Sequence, residues 1–406
     1  MNRKAVALIL SCVVSVVLAI LGLAILSGSI AENNMSQRNL QFTQAFWLAE
    51  AGLQKALYSL NEDNWQGWQD TSGDKSLEQA LGSGTYNVEI SNISGGQPQI
   101  IAIGLVGQIQ RVVEASLTEV SPLVFTHAAF GKTSLTMTGN SATDSYDSSL
   151  GAYGISNRTL NGDVGTNGSS VGAVSLAGNA SVGGDVQTGA GGTVEVSGNA
   201  AISGDVSDES EKEIPSVEIP SSLSSLVSLG SYSVSANSTE TLISGDYKFS
   251  SFTVSGNGRV VLEGSVNLYL TSTSEALKIS GNGNVVVSPG ADVKIYTEGK
   301  VLISGNGISN STNLPEKLIL YSTYSDTGEG VKISGNGDFF GAVYAPSASI
   351  KVSGNGDVFG AILGDEALVT GNGNVHYDEA LGRLNTGSCR YSVEEWKESE
   401  GTYVIE

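Results

Sequence analysis

Only two cysteines, Cys12 and Cys389, stand in this chain of 406 residues, too few for a disulfide framework. Cys12 lies in an apolar N-terminal run and Cys389 near the C-terminus, so the two are not expected to meet. Histidine is equally scarce, at His127 and His376, and no Cys/His spacing suits a metal. A phosphate loop and a nucleophile elbow are also absent, and neither a cofactor nor a resident metal is expected. Lys and Arg number 20 against 41 Asp and Glu, a formal charge of -21. That excludes a nucleic-acid surface, which begins with a basic patch, and suits a self-repelling extracytoplasmic domain. The 52 glycines and 7 prolines follow no Gly-X-Y period, so the chain is not collagenous.

What is abundant is a repeat. Ser/Thr-Gly-Asn-Gly occurs six times between Ser255 and Gly373, each time behind an alternating apolar pair such as Leu277/Ile279 or Val301/Ile303. A looser form carries Asn140, Asn179 and Asn199. Alternation with period two marks a strand with one face inside. Asn-Gly supplies the positive φ of a tight corner. Recurrence of one corner at 17- to 30-residue spacing favours stacked coils over hairpins. The expected fold is mainly β, with a right-handed parallel β-helix over 123–381. Asn257, Asn282, Asn306, Asn336, Asn355 and Asn372 would then form a corner ladder rather than a ligand site. A calcium-binding nonapeptide repeat needs an Asp in every turn, whereas Arg259, Asn284, Ile308, Asp338, Asp357 and Asn374 follow the corners here.

Ahead of the repeat, Ala5–Leu26 is apolar and about long enough to cross a bilayer as a helix. Arg3 and Lys4 precede it, and no base follows until Arg38, which keeps the N-terminus cytoplasmic and the bulk outside. A cleavable signal peptide is the alternative. Ile9-Leu10-Ser11-Cys12 has the form of a lipoprotein cleavage box, but the apolar run continues past it. Helical spacing then persists through Leu40, Ala45-Phe46, Ala49, Leu53 and Ala56-Leu57, so residues 1–61 are expected as one helix. Strands at 84–90, 99–104 and 111–118 would form a small antiparallel sheet within 62–122 and pack on its apolar stripe.

The residues Ala31-Glu32-Asn33, Arg38 and Gln44-Ala45-Phe46-Trp47-Leu48-Ala49-Glu50-Ala51-Gly52-Leu53 carry a family resemblance. Over about the first 120 residues this layout resembles the type IV pilins, and more closely the PilX-like minor pilins and pilus assembly proteins. The Gly-Phe-Thr-Leu-Ile-Glu-type start of major pilins is replaced by Asn2-Arg3-Lys4-Ala5-Val6-Ala7. Asp144-Ser-Tyr-Asp147, Asn161-Gly-Asp-Val-Gly165 and Gly341-Ala-Val-Tyr-Ala-Pro346 are similar to segments of β-helical domains appended to such proteins, and the stacking resembles that of bactofilins. The resemblance implies other pilins or pilus assembly proteins as partners, an inner-membrane location, and surface glycans as a further partner.

Candidate chemistry is sparse. Asp163, Asp185 and Asp205 recur in Gly-Asp-Val units, as turns do, and Asp338 and Asp357 follow corners. Asp144 and Asp147 are the one unrepeated pair, open to catalysis, to metal binding, or to a hydrogen-bonded capping turn. His127 and His376 are expected at opposite ends of the solenoid, His376-Tyr-Asp-Glu379 as an end cap. The acidic stretch within 207–222, with Pro215 and Pro220, reads as an exposed loop or a linker between solenoid sections. Residues 382–406 would be a cap over the last coil or a tail. The expected function is non-enzymatic display of the β-helix for pilus assembly, adhesion or surface structure. A surface-tethered polysaccharide-active enzyme and a bactofilin-like polymer are the alternatives.

Overall fold

The computed structural model describes residues 3–61, 64–71, 73–93, 97–120, 123–384 and 390–399. The chain divides after Val120 into two compact units, and from Cys389 onward it belongs to the first again.

In the first unit, α1 (Arg3–Asn61) is a single helix of 59 residues. Nothing in it breaks the backbone pattern, because it holds no Pro and only Gly22, Gly28 and Gly52. Ala45, Leu48, Ala49, Leu53 and Ala56, spaced three and four apart, are buried as one stripe. The stripe packs on Tyr86, Val88, Ile100, Ala102, Val113 and Ala115. Helix and sheet approach closely at Gly104, where a Cβ would lie 1.9 Å from the carbonyl oxygen of Ala45. Only glycine fits there.

The sheet is larger than expected. Besides β3 (Gly84–Ser91), β4 (Gln99–Val106) and β5 (Ile109–Val120), it contains β1 (Gln69–Thr71) and β2 (Asp74–Leu81). All are antiparallel neighbours in chain order. β2 escaped sequence reading because Leu77 is its one buried residue and its other apolar residues, Ala80 and Leu81, are exposed. A sixth strand, Arg390–Ser399, pairs antiparallel with β5. This corrects the expected cap or tail at the C-terminus, as far as the described residues reach. β5 would otherwise leave an open edge of unpaired N–H and C=O groups. Opposite charges favour the match, since Glu398 pairs with Arg111, and Lys397 meets Glu114 at 2.8 Å. Asn61 at the end of α1 exchanges two hydrogen bonds with the backbone of Tyr391.

The second unit is a parallel β-solenoid. Apart from one short antiparallel pair, Ser145–Tyr146 with Arg158–Thr159, its ladders are all parallel. Along one face the strands stack in the order Ser231–Val234, Ser251–Val254, Glu275–Ile279, Lys300–Ile303, Glu329–Gly335, Ser349–Gly354 and the end of Val358–Val369. The next in space is not a later residue. Ala367, Leu368 and Val369 pair with Leu135, Thr136 and Met137 of Ala129–Met137, which is followed by Val174–Leu176 and Val194–Val196. The coils therefore run from 231 to 378 and then from 129 to 209. Inward residues such as Val254, Ile279, Ile303, Val352, Val369, Met137 and Leu176 form continuous apolar columns.

This order corrects one expectation. His376 is not at an end of the solenoid. It lies in mid-stack, in register with Asp144, because the coils of 129–209 continue beyond it. The acidic stretch links the section 129–209 to the section 231–378. It must return from the last coil of the stack to the first, nine strand spacings of about 4.8 Å, or about 43 Å. Residues 210–230 can reach about 70 Å when extended, so the strap has slack for a short helix, α2 (Ser221–Ser224).

The strap packs one side against the solenoid and exposes the other, for a reason visible on the face beneath. In that face's ladders Lys248, Tyr269, Tyr296, Tyr321, Tyr344, Leu363 and Phe130 align as one outward column. Outward aromatics need a cover. Ile214, Val217, Ile219 and Leu226 pack on the core, and Leu223 is buried. Tyr344 Oη donates to the Pro215 carbonyl at 2.5 Å, and Lys248 Nζ to that of Ser224 at 2.7 Å. Lys212 Nζ sits 5.3 Å from the Phe130 ring centroid and donates to Val124 O and Thr126 Oγ1. Asn167 brackets the Lys212 backbone with one hydrogen bond each way.

Candidate functional site

The corners of the solenoid carry a ladder of side-chain amides. Asn257 Nδ2 donates to Asn237 Oδ1, and Asn282 Nδ2 to Asn257 Oδ1, each at 2.9 Å. Further along, Asn355 bonds Asn336, Asn372 bonds Asn355, Asn140 bonds Asn372, Asn179 bonds Asn140, and Asn199 bonds Asn179, at 2.7–3.0 Å. The bond from Asn140 to Asn372 crosses the point where chain order and stacking order part. Asn306 departs from the pattern and reaches only the backbone oxygen of Asn282, at 3.4 Å. Sequence reading missed Asn237, whose corner is Ser235-Ala236-Asn237-Ser238. Ala236 there adopts φ 58°, the left-handed conformation that Gly256 adopts in the next coil. A second ladder uses the recurring aspartates. Asp163 Oδ1 accepts the Asp185 N–H and Asp185 Oδ1 the Asp205 N–H, both at 2.7 Å, and Asp338 Oδ1 accepts that of Asp357 at 3.0 Å.

Asp144 and Asp147 do not converge on one site. Asp144 is buried, with Oδ1 2.5 Å from His376 Nδ1 and Oδ2 accepting from Tyr153 Oη at 2.8 Å and facing Arg158 Nε at 2.6 Å. His376 Nε2 lies 3.4 Å from Asp357 Oδ2. Burial opposes the charged ring, but hydrogen bonds to Asp144 and Asp357 and their charges outweigh it and raise the imidazole to about 8. Asp147 caps a short 3-10 helix, accepting from Ser149 N at 2.9 Å, and pairs with Arg383 at 2.9 Å. Its carboxyl is held below the usual range: burial pushes up, while the Ser149 and Arg383 bonds pull down harder.

Two more carboxylates complete the cluster. Asp378, fully buried, accepts from Ser148 N at 2.9 Å and Ser148 Oγ at 2.7 Å. Glu379 Oε1 accepts from Ser145, Thr159 and Asn161 at 2.7–2.9 Å. The links of Asp144 with His376, Asp147 with Arg383, Asp378 with Ser148, and Glu379 with Ser145, Thr159 and Asn161 join the 144–161 segment to 357–383, so the polar cluster is a splice between coils distant in sequence. Both nitrogens of His376 are engaged, and the carboxylates are met by donors. The arrangement fixes register. His127, by contrast, takes no part in this cluster and is bonded to Gln187 at 3.1 Å. Among the described residues no group of three or more His, Cys, Asp or Glu side chains is placed to hold a metal ion.

Two other surfaces stand out. Arg259, Asn282, Asn306, Asp338 and Phe340 line a concavity of about 590 Å3 beside the corner ladder. In the first unit, the described apolar side chains of α1 from Val13 to Leu26 are unburied, Leu23 being 67% exposed. The helix is long and apolar enough to cross a membrane, with mean hydropathy 2.5 over an 18-residue window.

A family model described as "Domain of unknown function (DUF7305)" matches residues 198–384. No curated protein matches the chain. Among solved structures, an ice-binding protein from the Antarctic ascomycete Antarctomyces psychrotrophicus is 14% identical with a TM-score of 0.29, covering 63% of this chain and 97% of that one. The competence-associated pilin ComZ from Thermus thermophilus is 10% identical with a TM-score of 0.27, covering 88% of this chain and 98% of its own.

Proposed function

We propose that this chain is a non-enzymatic, membrane-anchored, pilin-like protein that displays its β-solenoid outside the cytoplasmic membrane. The observation that carries the reading is α1, one helix whose described apolar side chains from Val13 to Leu26 are unburied and whose C-terminal half packs on an antiparallel sheet. Fourteen Val, Leu and Ile residues lie between Ala5 and Leu26. Insertion at about 0.3–0.6 kcal/mol each would favour the bilayer by about 4–8 kcal/mol. Beyond the lipid, Met35 and Leu40 are also exposed, as a helix meant to lie among other helices requires. The pilin resemblance ending in Ala49-Glu50-Ala51-Gly52-Leu53 supports pilins or pilus assembly proteins as those neighbours. The polar clusters of the solenoid are explained by register and corner geometry, which supports a structural role over a catalytic one.

Membrane fractions washed with alkaline carbonate test this, together with a photo-crosslinking residue at Met35. Retention in the membrane, protease sensitivity of the solenoid from the outer side, and crosslinks to other pilin helices are expected. A chain found wholly in the cytosol overturns the reading.

One observation favours the polymer alternative. The last coil of the stack leaves inward-type residues uncovered, Val196 at 50% and Val206 at 55% exposure. Glu195, Asp205, Asp208 and Glu209 surround them, so two such ends repel each other at low salt. Sedimentation at low and high salt separates the cases, since self-stacking would give large species only when screened.

A further inference from the structure

We propose that the concavity beside the corner ladder is a binding site for a neutral saccharide chain. It goes beyond the anchoring reading and does not depend on it. The site exists because one face of the prism is interrupted. That face begins with the parallel strands Thr239–Leu242, Arg259–Leu262, Asn284–Val287 and Ile308–Asn310. Asn310 then turns its amide onto the carbonyls of Leu314 and Phe340, and the chain leaves the face before Phe339 resumes it. A step remains on an otherwise regular surface.

Unsatisfied chemistry gathers at the same step. The amide ladder is continuous on both sides and breaks here, with no side-chain amide donating to Asn282 Oδ1 or Asn306 Oδ1 among the described residues. A broken ladder in a repeat that could have continued it leaves acceptors for something else. Arg259 has no ion pair among the described residues of a strongly acidic chain, yet it lines the concavity. Asp338 also lines it, with Oδ1 bound to the Asp357 N–H. The Phe340 ring completes the wall, half-buried and stacked on Phe359 with centroids 4.2 Å apart.

The combination selects a ligand class. Vicinal hydroxyls donate and accept in alternation, which suits amide and carboxylate acceptors interleaved with guanidinium donors. The C–H face of a pyranose offers apolar area to an aromatic ring. One guanidinium against one carboxylate leaves no net charge, so neither a polyanion nor a polycation is selected. A volume of about 590 Å3 lies within the usual range of small-ligand sites. Asn257 and Asn284 extend the same wall, but their amides are already engaged.

The test is calorimetric titration of the full-length chain in phospholipid nanodiscs with cellohexaose, maltohexaose and mannohexaose. At least one should bind saturably, with Kd on the order of 0.1–5 mM. Phe340→Ala and Arg259→Ala should each weaken it by roughly tenfold or more, and Lys278→Ala, on another face, should leave it unchanged. Arg259 is exposed, so its variant stays informative if Phe340→Ala fails to fold. No saturable heat with any of the three sugars overturns the proposal. So does binding that Arg259→Ala retains in full, or a sulfated oligosaccharide that binds more tightly than the neutral ones.

Discussion

Changing His376 to Gln should abolish a pH dependence of stability that the splice creates. His376 is 6% exposed and raised to about 8 between Asp144 and Asp357, against 6.5 when unperturbed. The folded state therefore holds the proton more tightly than the unfolded chain. Stability from this source is complete below pH 6.5 and is lost as pH rises through 8. Raising the imidazole from 6.5 to about 8 corresponds to about 2 kcal/mol. Tyr153 also faces the ring, and burial pushes its hydroxyl up, away from this window.

Two groups elsewhere in the solenoid act outside that window and with the opposite sign. His127 is lowered to about 4, chiefly by burial, so stability rises with pH from about 4 to 6.5. Lys212 is lowered to about 8 by burial, so stability rises again above pH 8. Both act outside the interval from pH 6.5 to 8. Urea unfolding followed by tyrosine near-UV circular dichroism reports chiefly on the solenoid, which holds ten of the 14 tyrosines, whereas Trp47, Trp65, Trp68 and Trp396 all belong to the first unit. Tryptophan fluorescence in the same samples is the internal control. Wild type should lose stability across the interval in the tyrosine signal only, and His376→Gln should be lower at pH 6.5 and flat. Removing the buried cation from between two carboxylates should cost the variant about 3 kcal/mol at the acid end. A wild-type curve that is flat or rising between pH 6.5 and 8, or a variant with the wild-type slope, refutes the reasoning.

Corner geometry gives a paired prediction. Gly305→Ala places a Cβ 1.8 Å from the Gly281 carbonyl oxygen at φ +70°, and should cost about 2–4 kcal/mol in the tyrosine transition, whereas Ala236→Gly relieves a left-handed alanine and should gain about 0.5 kcal/mol. Truncation after Leu384 removes the strand on the β5 edge, so the tryptophan transition should fall by about 2–4 kcal/mol while the tyrosine transition holds.

Much of the splice was present in the sequence as residues without a relationship. Asp144, Asp147, Asp378 and Glu379 are visible as acids, but nothing local says that 144 faces 376. The covering of one face was more legible than it was read. Tyr269, Tyr296, Tyr321 and Tyr344 recur once per coil, and Ile214, Val217, Ile219 and Leu223 offer a matching apolar set inside an acidic stretch. β2 and the Arg390–Ser399 strand carried too little apolar alternation to be seen, since both owe their place to a neighbour's open edge.

By itself the sequence determined the local grammar: alternating strands, Asn-Gly corners with a positive φ, an amide ladder, and a helix continuous from a membrane-length apolar run into an amphipathic stripe. Each follows from dihedral preference and periodicity, which act over a few residues. The order in which the coils stack was decided by tertiary structure alone. Every corner presents the same amide and every inner column the same aliphatic surface, so by those features any coil can sit on any other. What breaks the degeneracy is non-local: the buried charges joining 144–161 to 357–383, and a strap long enough to return along the stack and apolar enough to cover the tyrosines it crosses.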